Sequence, residues 1–197
     1  MSAGALLGVF ALMFVLELPD KTMIATVVMS TKARSRNVAL GASLGFVVQM
    51  GLAVAAGSLL TLLPHRIKDL IVAILFLGGA AYLLLVSEEE EEEEGEREGE
   101  RETRGSALRE IATAFSVIFI GEFGDLTQIQ AANLAAKTHQ PIGIFVAGSL
   151  ALVCVAFLGS YGGAALQRIV PLKKIRFGGG LIFLGLGLYT LYGLRHW

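Results

Sequence analysis

Two short acidic segments interrupt otherwise apolar sequence: Glu17-Leu-Pro-Asp20-Lys-Thr22 and Glu122-Phe-Gly-Asp125-Leu-Thr127. In each, two carboxylates stand three residues apart, so a helix would carry both on one face. Pro19 and Gly124 lie inside those pairs. Proline removes a backbone donor and clashes with the preceding turn, and glycine weakens a helix, so each segment should break its helix. At membrane depth a broken helix is tolerated where it lines a cavity, and its freed carbonyls can ligate cations. A carboxylate at the bilayer centre costs roughly 2.5–3.5 kcal/mol even on the lenient insertion scale. Four acidic side chains against Lys21 leave a deficit of positive charge, which bound protons or a bound cation must offset. Structural ion pairs, or helix-end charges reaching the interface, are the plainer reading. The recurrence of the same acidic motif in the middle of both halves argues against it, because intramembrane carboxylates mark ion or proton pathways.

The surrounding donors narrow the ion. Besides Glu17, Asp20, Glu122 and Asp125, the motifs and their flanks offer Thr22, Thr127 and Gln128; Lys21, Ser43, Gln49 and Ser149 stand further out. No histidine falls in an apolar span, and Cys154 is alone. Oxygen donors of this kind suit Mn2+ or Ca2+ rather than Cu+ or Zn2+, and Mg2+ is less favoured because it gives up water reluctantly. Mn2+ and Ca2+ are not separated by this argument. Met13 and Met23 flank the first motif as packing residues. The ion would be cargo, and no cofactor is expected.

The elements that must position these residues are apolar spans. Six are legible: Gly4–Met29, Val38–Leu63, Leu70–Val86, Ile111–Ala136, Ile142–Leu166 and Phe177–Leu194. A span needs about 20 apolar residues to cross a bilayer. The composition agrees, with 54% hydrophobic residues and 24 glycines besides. The N-terminus lacks the basic stretch of a signal peptide, and its apolar run continues through the first motif. Between spans three and four lies an acidic linker, residues 87–106, which contains the run Glu88–Glu94. With almost nothing apolar to bury it is expected to be disordered.

The two motifs belong to a duplication. Ala42-Ser43-Leu44 aligns with Gly148-Ser149-Leu150, Pro64 with Pro171, and Phe76 to Tyr82 with Phe183 to Tyr189, all at offsets of 105–107 residues. Three spans per copy is an odd number, so the second copy must enter the membrane from the opposite side. The expected fold is therefore an all-α membrane protein of six transmembrane helices. They form two inverted three-helix repeats, residues 1–86 and 107–197, with the first and fourth helices broken. Such repeats place a site at their interface, near the midplane. Eleven Lys and Arg residues flank the loops after spans one, three and five, against Arg66, Lys68, Lys137 and Arg195 on the other side. The positive-inside rule then sets both termini outside the cytoplasm and the linker inside, in a cell inner membrane.

The two motifs resemble the signature E-x-G-D-[KR]-[TS] of the Gdt-type calcium/manganese–proton antiporter family, and the resemblance covers essentially the whole chain. It implies two three-helix repeats with one motif in each first helix, and it implies Glu17, Asp20, Thr22, Glu122, Asp125 and Thr127 as binding residues. Pro19 stands where that family has glycine, and Leu126 where it has a basic residue. The resemblance further implies partners that are divalent cations, protons and the lipid bilayer. Nucleic acid is not among them, and a homo-oligomer is compatible with the pattern.

The mechanism expected is exchange. Protons occupy the empty site, a divalent cation displaces them because ligands must deprotonate to bind, and rocking of the repeats exposes the site alternately. Proton entry would drive cation export. An exporter of another small solute, such as an amino acid, would need cationic groups beside the carboxylates, and only Lys21 is available. A non-transporting assembly factor leaves the duplicated carboxylates without a purpose. No nucleophile–base pair or metal-hydrolase motif suggests an enzyme.

Overall fold

The computed structural model describes residues 1–18, 20–85, 93, 96–99, 105–123, 125–169 and 172–195. Among these residues the chain is all-helical, in the order α1 (Ala3–Glu17), α2 (Lys21–Lys32), α3 (Ser35–Leu60), α4 (His65–Leu85), α5 (Ala107–Gly121), α6 (Leu126–Thr138), α7 (Pro141–Ile169) and α8 (Leu172–Arg195). The helices fall on the six apolar spans, with spans one and four each divided in two.

The divisions lie at the motifs. Helix α1 stops at Glu17 and α2 starts at Lys21, with a bend of 64° between them. Helix α5 stops at Gly121 and α6 starts at Leu126. Pro19 and Gly124, where sequence puts the breaks, fall outside the described residues, but the backbone on either side makes the same turn twice. Asp20 N donates to Glu17 O at 3.1 Å, and Asp125 N donates to Glu122 O at 3.2 Å. The helices then resume through Ile24 N to Asp20 O at 3.4 Å and Ile129 N to Asp125 O at 3.0 Å. Each pair of bonds is separated by 105 residues, the offset of the sequence repeat.

Packing crosses between the halves. Helix α3 lies against α5, α6 and α7, while α7 lies against α1 and α2, and α4 pairs with α8. Small residues permit the close approaches. A side chain at Gly41 would meet the Ile111 carbonyl and Ala114, and one at Gly57 would meet the backbone of Ala132. Asn37 Nδ2 donates to Glu110 Oε2 at 2.6 Å, tying α3 to α5 with both groups buried. Val38, Ala42, Phe46, Ala114, Ile118, Ala147 and Ala151 form the main core. A second cluster, Val72, Phe76, Ala80 and Phe183, joins α4 to α8, with Phe76 and Phe183 edge to face at 5.8 Å.

The outer surface is apolar. Leu40, Leu44, Val48 and Leu52 stand exposed along α3, and Val146, Leu150 and Phe157 along α7. Stripes of this size on both long helices suit hydrocarbon rather than water. By length and composition, α3 and Pro141–Gly162 of α7 are long and apolar enough to cross a membrane, and α1 with α2 makes a third candidate. The other helices are shorter in their apolar part or begin with charge, as α4 does at Arg66, Lys68 and Asp69.

The acidic run Glu88–Glu94 lies, apart from Glu93, outside the described residues. Glu96–Gly99 is helical and does touch the bundle, where Gly99 is buried against Val28 and the Ala25 carbonyl of α2. Composition leads only to an expectation of disorder for the linker and does not anticipate this contact. Glycine makes the contact where any larger side chain would clash with Val28.

Candidate cation site

Four helix ends converge on the motifs. Glu17 is the last residue of α1, and Asp20 caps the N-terminus of α2, its Oδ1 accepting from Lys21 N at 2.7 Å. Glu122 follows the C-terminus of α5, and Asp125 precedes α6. Both aspartates thus sit at the positive end of a helix dipole, where a carboxylate is favoured, and both glutamates at a negative end, where a bound cation is favoured.

The two halves share hydrogen bonds at this point. Glu17, fully buried, accepts from Thr22 Oγ1 at its Oε1 and from Thr127 Oγ1 at its Oε2, each at 2.7 Å. The second bond joins residues 110 positions apart. Glu17, Asp20 and Glu122 each offer an oxygen, and all three oxygens lie within 4.8 Å of one another. Glu122 is buried, and its Oε1 has no hydrogen-bond partner among the described residues. Asp125 is an electrostatic neighbour of Glu17, Asp20 and Glu122, and Lys21 of Glu122. All four motif carboxylates therefore occupy one region, and three can reach one ion.

The remaining candidates have other positions. Gln128 Nε2 donates to Gln49 Oε1 at 2.6 Å, and Gln49 in turn donates to the Phe119 carbonyl near the end of α5. These glutamines brace the broken helix against α3. The hydroxyls of Ser43 and Ser149 are buried without hydrogen-bond partners among the described residues. Two polar residues that sequence reasoning passed over, Gln130 and Asn133, are fully buried on α6. Thr127, Gln130 and Asn133 follow one another at steps of three in a segment otherwise rich in alanine, and that was the available signal. Glu98 was also missed. Its carboxylate lies beside Gly121, where a Cβ would stand 2.8 Å from Glu98 Oε2.

An all-oxygen cluster of carboxylates and hydroxyls in an apolar bundle can hold a hard divalent cation or the protons that replace it. Comparison with known proteins agrees. A family model described as the divalent cation/proton antiporter GDT1 matches this chain twice, over residues 5–91 and 110–196. The chain belongs to the GDT1 family. That is a family of transporters rather than enzymes, and each of the two matches covers one half of the chain with its own acidic motif. GDT1-like protein 3 of Oryza sativa subsp. indica is 41% identical, over 95% of this chain and 74% of its own length. The GDT1-like protein sll0615 of Synechocystis is 27% identical, over 87% of this chain and 89% of its own. Protein PAM71, chloroplastic, of Arabidopsis thaliana is 27% identical over 92% of this chain and 55% of its own length. Some similarities are partial. The matched region spans 27% of the length of GDT1-like protein C17G8.08c of Schizosaccharomyces pombe and 34% of that of GDT1-like protein 5 of Arabidopsis thaliana. No solved structure matches the chain.

Proposed function

We propose that this GDT1-family chain exchanges a divalent cation, Mn2+ or Ca2+, for protons at one site built by both motifs, and exports the cation from the cytoplasm. The observation that carries the reading is the convergence of Glu17, Asp20 and Glu122, with oxygens within 4.8 Å of one another, from opposite halves of the chain. Three carboxylates so close in an apolar surrounding repel one another and cannot stay ionised without compensation. A divalent cation supplies that compensation in one state and protons supply it in the other. The two states cannot coexist at full occupancy, and this exclusion couples the two fluxes.

The coordinating set is Glu17, Asp20, Glu122 and Asp125, with Thr22 and Thr127 holding Glu17 in place. The absence of nitrogen and sulfur donors among these residues favours hard ions. The same acidic set gives no counter-charge for the carboxyl group of an amino acid.

The arrangement we favour is six spans in two inverted repeats, with both termini outside the cytoplasm and the linker inside. Three features support the repeats: the duplicated turn at the two motifs, the double match of one family model, and the crossed packing of α3 and α7 against the opposite half's broken helix. The orientation rests on the Lys and Arg count of the loops alone. Transport then requires one repeat to rock against the other about the fixed site.

The test is flux. Purified protein in proteoliposomes is given an imposed pH gradient, and Mn2+ and Ca2+ are followed on separate samples. Uphill cation movement that vanishes when the gradient is collapsed supports exchange. Cation movement indifferent to the gradient, or none for either ion, counts against it.

A further inference from the structure

The exchange reading leaves Gln130 and Asn133 unused. Both side chains are fully buried, and all four of their amide nitrogen and oxygen atoms lack a hydrogen-bond partner among the described residues. A buried polar group left unmade costs about 1–3 kcal/mol, so two complete amides in this state require something to satisfy them.

Their placement says what. Thr127, Gln130, Asn133 and Lys137 follow one another at steps of three, three and four, which stacks them along one side of α6. The row begins at the acidic site, where Thr127 donates to Glu17. It ends where Lys137 donates to Thr190 and lies 5.7 Å from the ring centroids of Phe76 and Tyr189. That end faces α4 and α8, with Lys68 and Asp69 as electrostatic neighbours of Lys137. Ala131 and Ala135, on the other side of α6, belong to the dry core.

The first half supplies an internal control. At the repeat offset of 105 the corresponding residues of α2 are Thr22, Ala25, Val28 and Lys32. The threonine and lysine are kept, but the two steps between them are apolar, and Gly99 is packed upon them. The amides are therefore a property of one side of the site, not a requirement of the helix.

We propose that Gln130 and Asn133 line a limb of the ion path, running from the acidic site along α6 to Lys137 and Thr190. The limb is closed in this arrangement, where both residues are fully buried, and takes up water when the repeats rock. This rests on the exchange reading for its cargo, a divalent cation that keeps part of its water shell. Neutral amides suit that role. They donate to and accept from water, and they replace lost hydration without adding a charge that would trap the ion. Lys137, at the far end, is held by Thr190 and by the rings of Phe76 and Tyr189.

The experiment uses the full chain in liposomes with Cys154→Ser, which leaves no native cysteine. Asn133→Cys is exposed to a membrane-impermeant thiol reagent from each side separately. Thr138→Cys, at the exposed end of α6, marks the side at which the limb should open. The expected result is that Asn133→Cys reacts from the same side as Thr138→Cys, and more slowly with Mn2+ or Ca2+ present. Gln130→Cys repeats the measurement should Asn133→Cys fail to insert. No reaction from that side overturns the limb. In parallel, Gln130→Leu with Asn133→Leu should cut flux roughly tenfold or more, the scale of one lost hydrogen bond to a charged group. Cation-induced proton release at the acidic site should persist. Wild-type flux in that double variant also overturns the proposal. Should wild type release no proton on cation binding, the exchange reading falls, while thiol access still reports whether the limb is wet.

Discussion

Thr127 Oγ1 donates to Glu17 Oε2 at 2.7 Å, so the first turn of α6 is fastened to the last residue of α1 across 110 positions of sequence. Thr22 holds the other oxygen of the same carboxylate from within the first half. Glu17 is thus oriented by both motifs at once, and a movement of one half relative to the other must change the environment of its charge.

Removing that fastening should be visible. Thr127→Val keeps the shape and deletes the donor, leaving a buried carboxylate oxygen unpaired. We expect a cation affinity lower by about tenfold, with Thr127→Ser close to wild type. Calorimetric titration with Mn2+ or Ca2+ reads both variants. Equal affinity in Thr127→Val would show that the hydroxyl does not orient the ligand.

Asp125→Asn should nearly abolish exchange while preserving the fold. Asparagine is close to isosteric and keeps an oxygen, but it carries no charge and releases no proton. One like charge leaves a crowded site, so thermal stability should hold or rise. Flux in proteoliposomes and a thermal midpoint in detergent check the two halves of the statement. A large loss of stability together with flux would make Asp125 a structural residue.

The helix contacts predict where small residues are indispensable. Gly57→Ala would place a methyl group on the backbone of Ala132 and force α3 from α6, at a cost of about 1–3 kcal/mol. Gly78→Ala on α4 meets nothing within 4 Å and should be neutral or slightly stabilising. Thermal unfolding of the two variants side by side decides it, and equal midpoints would refute the close approach.

Cation binding should weaken as the medium is acidified. The ligands are carboxylates that must lose protons to bind, so protons compete with the ion. Apparent affinity should fall about tenfold per pH unit for each proton displaced, and rise again on returning to higher pH. Titrations at a series of pH values give the slope, and a flat profile would exclude proton-coupled binding.

Much of this architecture was legible before any coordinates. The two motifs advertised themselves because carboxylates are costly in apolar sequence, and their offset of 105 residues recurs in the doubled turn at Glu17–Asp20 and Glu122–Asp125. Proline and glycine marked the helix breaks because their effect is local to the backbone. What sequence did not reveal depends on which residues face one another. Gln130 and Asn133 are unremarkable polar residues until their complete burial is known. Gln128 belonged to the motif by position, yet its partner is Gln49 of α3, a contact fixed by the packing of α3 on α6. The linker's composition said only that it cannot form a core, and it could not say that Gly99 fits against Val28.

The central claim is that one site, made by both halves, trades protons for a divalent cation. It is tested most directly by proton release from purified protein on addition of Mn2+ or Ca2+, comparing wild type with Glu17→Gln and Glu122→Gln. The account predicts release in wild type and its loss or sharp reduction in each single variant, because a carboxylate from either half is needed to bind the ion. Wild-type release that persists unchanged in either variant would contradict a shared site.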